Sequence, residues 1–260
     1  MKLSANLGFL WSDLALPDAV RAAAAAGFDA VEFHWPYDAD ADALAATLDE
    51  TGLPVMGLNT ARGDVGAGEN GLCALPGREA EARDGIARAF DLGRRLSARN
   101  VHVMAGVAEG TAARDVFLRN LDAACELSAE TGLGVLIEPL NPHDAPGYFH
   151  ATTAAALSIL DQLDRPEARL MFDCYHVGRT EAEGTAAVID RLRACRGRIG
   201  HVQIAAVPDR GAPDHGAVDY VAVASALADL GWAAPVGAEY RPSGPTQDGL
   251  GWMPTLRAVG

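Results

Sequence analysis

The sequence predicts an α/β protein of the (β/α)8 barrel class, and three observations predict it. Eight short runs rich in Val, Ile and Leu alternate with Ala-rich amphipathic segments of a dozen or more residues, the pattern of repeated βα units around a parallel sheet. Glycine follows the helical stretch and precedes the next run at Gly27, Gly52, Gly132 and Gly231, where it caps the helix in a left-handed conformation. Eight units in 260 residues average about 32 residues each, close to the economy of a closed barrel. A doubly wound open sheet is the competitor. Its phosphate-binding glycine fingerprint is missing after the first run, where Leu10-Trp11-Ser12-Asp13 offers no cradle. The chain is expected to form a single domain over residues 1–260.

The strands are expected to begin at Leu3 (LSANLGF), Phe28 (FDAVEF), Pro54 (PVMGLN), Asn100 (NVHVM), Gly134 (GVLIE), Arg169 (RLMFD), Ile199 (IGHVQI) and Pro235 (PVGAEY). Helices are expected over Pro17–Ala26, Ala41–Glu50, Arg78–Ser97, Ala112–Glu130, Thr153–Leu163, Thr185–Cys195 and Tyr220–Leu230. Only Leu250–Gly260 follows the last strand, enough for a short final helix or a tail. A clipped final helix suggests a neighbouring subunit over that side, hence a homo-oligomer. Three connections exceed what a strand-to-helix turn needs: Thr60–Gly77, Pro139–Thr152 and Ala205–Asp219. All three follow strands, on the face where barrels build their sites. The glycine-rich Thr60–Gly77 loop reads either as a lid over a small substrate or as a surface or subunit-contact loop.

Composition excludes several classes of function. Lys and Arg number 21 against 35 Asp and Glu, a net charge of −14, which opposes binding to a phosphate backbone and argues against nucleic acid as a partner. No apolar run approaches the roughly 18 residues that span a bilayer, and the first residues lack a basic start, long apolar stretch and cleavage site. A cytoplasmic protein that does not bind membranes is expected. Cys73, Cys125, Cys174 and Cys195 form no C-x-x-C pair and read as buried thiols.

The chemistry is suggested by what ends the last four strands: Glu138 in VLIE, Asp173 in LMFD, Gln203 in HVQI and Glu239 in GAE. A barrel gathers its strand ends into one ring, and inward positions recur every second residue, so these four side chains can converge. Burying three carboxylates together is prohibitive without a cation. Four hard oxygen donors suit Mg²⁺ or Mn²⁺ better than zinc. His102 and His201 read as core or supporting residues, and His143, His150 and His215 as loop residues. Asn59, at the end of the third strand, either lines the pocket or starts the turn.

The runs HVQIAAVPDRGAPDHGAVDY (His201–Tyr220), GAEYRPSGPTQDGLGW (Gly237–Trp252), GLCALPGREAEARDG (Gly71–Gly85) and IEPLNPHDAPGYF (Ile137–Phe149) resemble the hydroxypyruvate isomerase family. That family belongs to the xylose isomerase-like TIM barrels and includes 2-oxo-tetronate isomerases. The resemblance implies a (β/α)8 fold, a divalent-metal site at Glu138, Asp173, Gln203 and Glu239, and Glu138 with Glu239 as the proton donor/acceptor pair. It also implies that His176, in DCYH, is held against a substrate hydroxyl. His34, in VEFHWPYD, stands where many relatives are expected to carry an apolar residue.

The chemistry this suggests is isomerisation of a small hydroxy-oxo acid through a cis-enediolate, with a metal stabilising the oxyanion and two glutamates moving the proton. Hydroxypyruvate to tartronate semialdehyde is the specific expectation. A 2-oxo-tetronate isomerase, a ketose 3-epimerase and a non-catalytic sugar-acid binding protein are the alternatives. The substrate carboxylate needs a cation, for which Arg210 is the first choice and Arg241 the second.

Overall fold

The computed structural model describes residues 1–181 and 183–259. Eight parallel strands run in chain order: β1 (Leu3–Asn6), β2 (Ala30–Glu32), β3 (Leu58–Asn59), β4 (Asn100–His102), β5 (Gly134–Ile137), β6 (Ala168–Asp173), β7 (Ile199–Ile204) and β8 (Val236–Ala238). Neighbours pair in the order β2-β1-β8-β7-β6-β5-β4-β3. The remaining seam, between β2 and β3, is closed by backbone bonds: Met56 N–H donates to Val31 C=O (2.8 Å) and Phe33 N–H to Gly57 C=O (3.0 Å). The result is the expected barrel.

The helices are α1 (Leu16–Ala25), α2 (Ala41–Thr51), α3 (Glu79–Arg95), α4 (Gly110–Thr131), α5 (Thr153–Leu163), α6 (Cys174–Thr180), α7 (Gly184–Cys195), α8 (Tyr220–Asp229) and α9 (Met253–Arg257). Each longer helix buries one stripe; in α4 it is Ala113, Val116, Phe117, Asn120, Leu121, Ala124, Cys125 and Ser128, spaced mainly three and four apart. Asp40 starts α2 and Asp219 starts α8 by accepting backbone N–H bonds. Gly52 and Gly132 end α2 and α4 at φ 69° and 77°.

Two elements depart from expectation. The third strand is continuous only over Leu58–Asn59; the preceding residues touch β2 through an isolated bridge, Val31 with Val55, rather than an unbroken ladder. Helix α6, which is not among the helices expected from the sequence, begins directly at the end of β6; Asp173 Oδ1 accepts from Tyr175 N–H (2.8 Å) and so starts it. After β8 the chain does form a short helix, α9, tied back by Arg257 to Asp29 (2.8 Å). Among the described residues no helix is long and apolar enough to cross a membrane.

Candidate active site

The C-terminal strand ends surround a cavity of about 270 Å³ lined in part by His34, His102, Glu138, His176, Arg210 and Glu239. Glu138, Asp173, Gln203 and Glu239 are all brought to this end of the barrel and all are buried. Three side-chain oxygens here have no hydrogen-bond partner: Glu138 Oε1, Asp173 Oδ2 and Gln203 Oε1. An unpaired buried oxygen on an ionised group is costly. Among the described residues only one guanidinium, that of Arg210, stands against these carboxylates: Nη2 lies 2.5 Å from Glu239 Oε1 and 3.9 Å from Asp173 Oδ2. The donor set therefore fits a hard divalent cation, which would satisfy the free oxygens and balance the surplus negative charge.

Glu138 and Glu239 sit in opposed environments. Burial, reinforced by the charges of Glu239 and Asp173, pushes Glu138 well above the usual carboxylate range. Burial would do the same to Glu239, but hydrogen bonding from His34 and the Arg210 charge outweigh it and bring Glu239 down to about 2. Asn6 Nδ2 also donates to Glu239 Oε2 (2.9 Å). His34 Nε2 stands 3.5 Å from Glu239 Oε1, in space kept open by Gly8, where a β-carbon would meet the imidazole at 2.0 Å.

One ligand-capable atom from each of Glu138, Asp173 and His176 lies within 4.8 Å of the others. Hydrogen bonding separates the histidine from the two acids. The Asn141 backbone N–H can only donate, and it donates to His176 Nδ1 (3.0 Å), so the neutral ring carries its proton on Nε2. Burial and the Arg210 charge push His176 down to about 3, keeping it neutral. His176 therefore presents an N–H to the site, 3.7 Å from Asp173 Oδ2 and 3.9 Å from Glu138 Oε1.

Arg210 is buried and wedged between the rings of Phe9 (4.9 Å) and Tyr175 (5.0 Å), with its backbone at φ 59°. Its contacts run to carboxylates of the protein itself. Arg241 lines the same cavity and is exposed. A third guanidinium, that of Arg62, escaped the sequence reading. It stacks on Trp35 (4.6 Å) and its Nε donates to Asn70 Oδ1 (3.0 Å), while among the described residues no carboxylate pairs with it. The Thr60–Gly77 loop delivers Arg62 and Asn70 to the cavity. Gly71 docks the loop on the β4 end; at φ 114° its β-carbon would lie 2.6 Å from Met104 C=O.

Glu32, at the end of β2, also escaped the reading. It is buried, with His201 Nε2 3.2 Å from each of its oxygens and Gln203 Nε2 donating to Oε2 (2.7 Å). Both His201 and His102 are buried beside acids of the site, His102 Nδ1 lying 3.7 Å from Glu138 Oε2 and 3.2 Å from Asn59 Oδ1. Asn59 lines the cavity. An acidic residue inside a strand buried on both faces was the available signal for Glu32.

Comparison with known proteins matches residues 20–256 to the xylose isomerase-like TIM barrel model. The chain is 40% identical over 256 residues to a 2-oxo-tetronate isomerase of Cupriavidus necator, covering 97% of each. It is 33% identical over 261 residues to a hydroxypyruvate isomerase of Escherichia coli, covering 99% of this chain and all of that one. A crystal structure from Brucella melitensis described as AP endonuclease, family 2, superposes with a TM-score of 0.92 at 36% identity, covering 97% of this chain and 98% of that one.

Proposed function

The chain belongs to the xylose isomerase-like TIM barrel family, and on that premise we propose that it is an isomerase of small hydroxy-oxo acids, with hydroxypyruvate and tartronate semialdehyde as its pair. The observation that carries this reading is the set of three buried, unpartnered oxygens on Glu138, Asp173 and Gln203, beside a Glu239 held ionised. Glu138, Asp173, Gln203 and Glu239 would hold Mg²⁺ or Mn²⁺. When bound, the cation supplies Lewis-acid polarisation of the adjacent carbonyl and hydroxyl oxygens.

The residues of the chain divide the remaining work. One of the pair Glu138 and Glu239 takes a proton from the hydroxyl-bearing carbon, and the other returns one to the former carbonyl carbon, through a cis-enediolate. Both glutamates line the same cavity, within reach of a substrate held there. The His176 Nε2–H donates to a substrate oxygen and so offsets charge that develops there. Arg210 keeps Glu239 ionised and in place. The substrate carboxylate falls to Arg62 and Arg241, whose guanidinium groups make no ion pair among the described residues.

A 2-oxo-tetronate is the second reading, favoured by the 40% identical relative. A DNA substrate is disfavoured by the net charge of −14 and by a cavity of about 270 Å³. Side-by-side turnover of hydroxypyruvate, 2-oxo-tetronates and free ketoses in the presence of Mg²⁺ or Mn²⁺ tests the proposal. Turnover of either acid in preference to ketoses supports the class. Indifference to both acids refutes it.

A further inference from the structure

The Gln203 amide makes an unusual choice of partners. Its Nε2 donates to two carboxylates at once, Glu32 Oε2 at 2.7 Å and Glu239 Oε2 at 2.5 Å, and its Oε1 is buried without a partner. The reverse orientation would press an amide oxygen against two carboxylate oxygens, so the two acids dictate which end of the amide is left over. The end left over is the oxygen. An amide oxygen can ligate a hard cation, and a neutral amide nitrogen cannot.

Glu239 belongs to the site, but Glu32 lies beneath it, inside the barrel. His201 and Gln203 are two residues apart on β7 and so share its inward face, where both meet Glu32. Gly237 faces Gln203 across the β7–β8 pairing, and a β-carbon there would stand 2.4 Å from Glu32 Oε1 and 2.8 Å from Gln203 Cγ. Three strands thus make room for one buried carboxylate that lines no part of the substrate cavity near Arg62.

We propose that Glu32 is a positioning residue for the cation site: as an acceptor-only group locked by His201, it holds the Gln203 amide so that Oε1 remains its free end. The inference rests on the reading of the strand-end ring as a divalent-cation site. Supporting partners of this kind typically change metal affinity by about 10–100-fold when lost. Replacement of Glu32 by glutamine introduces an N–H that can face Gln203, so the acceptor-only partner on the β2 side is lost and Oε1 is no longer held as the free end of the amide.

Isothermal titration with Mn²⁺ on the full chain decides the matter, with the unfolding midpoint of the metal-free protein measured alongside. Glu32→Gln is expected to weaken Mn²⁺ binding at least tenfold. The double variant Glu32→Gln/Gln203→Glu is expected to bind Mn²⁺ at least tenfold more tightly than Gln203→Glu alone, because the carboxylate introduced on β7 then accepts from the amide introduced on β2, while its contact with Glu239 is the same in both variants. Gln203→Glu alone sets two carboxylates against each other and is expected to bind more weakly than the double variant. Parent-like affinity in Glu32→Gln overturns the inference, as does a double variant no better than Gln203→Glu. If Glu32→Gln does not fold, the double variant against Gln203→Glu still decides by the same comparison. Absence of Mn²⁺ binding by the parent protein instead refutes the cation-site reading itself.

Discussion

The two halves of the barrel do different work. The half from β5 to β8 carries Glu138, Asp173, Gln203 and Glu239 at or next to its strand ends, with three of their oxygens unpartnered. The half from β1 to β4 and its loops supplies Asn6, Glu32, His34, His102 and Arg62, which engage the residues of the other half or line the cavity beside them. Asn6 donates to Glu239, Glu32 accepts from Gln203, and His102 stands beside Glu138. A buried acidic ring of this kind is built twice, once as oxygens facing the cavity and once as hydrogen-bonding partners that fix where each oxygen points.

If the halves divide this way, variants in the second half cost most. Glu138→Gln and Glu239→Gln are expected to lower kcat by about 10²–10⁴-fold on the preferred acid, as measured by steady-state kinetics with Mn²⁺ saturating. In the first half, Asn6→Ala removes one hydrogen bond to a buried carboxylate, worth about 1.5–3 kcal/mol, and is expected to lower kcat/KM by about 10- to 150-fold. A loss in Asn6→Ala as large as that in Glu239→Gln would break the comparison. Arg62→Gln is expected to raise KM for the acid about tenfold with little change in kcat, and to leave KM for a neutral ketose unaltered, a split that dose–response curves on both substrates will reveal.

Two further variants act on stability rather than chemistry. His150 is buried among Phe117, Phe149 and Tyr148, and burial pushes it down to about 3, below its ordinary value of 6.5. The unfolded chain therefore binds this proton more readily than the folded one. Its contribution is intact above pH 6.5 and is lost as pH falls toward 3. Unfolding midpoints measured across that window are expected to fall less steeply with acid in His150→Phe than in the parent. The smallest effect is expected from Asp40→Ala, which removes the cap of α2 far from the ring: a loss of about 1 kcal/mol in denaturant unfolding, with Mn²⁺ affinity unchanged.

The same division explains what could be read from the sequence. The barrel was legible because hydrophobic runs, amphipathic stretches and glycine caps repeat along the chain, and each is a local property. Glu138, Asp173, Gln203 and Glu239 were legible as a group because each stands at or near the end of an apolar run, so topology alone brings them together. Glu32 and Asn6 sit within apolar runs and look like interruptions; their meaning depends on β7 and β8, far away in sequence. Arg62 lies in a glycine-rich loop with no periodicity, and only docking of Gly71 on the β4 end brings it to the cavity. Arg210, which its place after β7 makes the first choice of substrate anchor, stands against Glu239, Asp173 and Asp144, contacts that no local pattern foretells; Arg62 and Arg241 are, among the described residues lining the cavity, the guanidinium groups without an acidic partner. Helix α6 was missed because seven residues are too few to establish a helical period.

The central claim is that the strand-end ring moves a proton between neighbouring carbons of a small hydroxy-oxo acid. Conversion of hydroxypyruvate in deuterated water by the Mg²⁺-loaded protein, followed by proton NMR, tests it most directly. Tartronate semialdehyde is expected to carry solvent deuterium on the carbon that was the carbonyl, with both product and label lost in Glu138→Gln. Product formed with its hydrogen wholly retained, or formed equally well by Glu138→Gln, would contradict it.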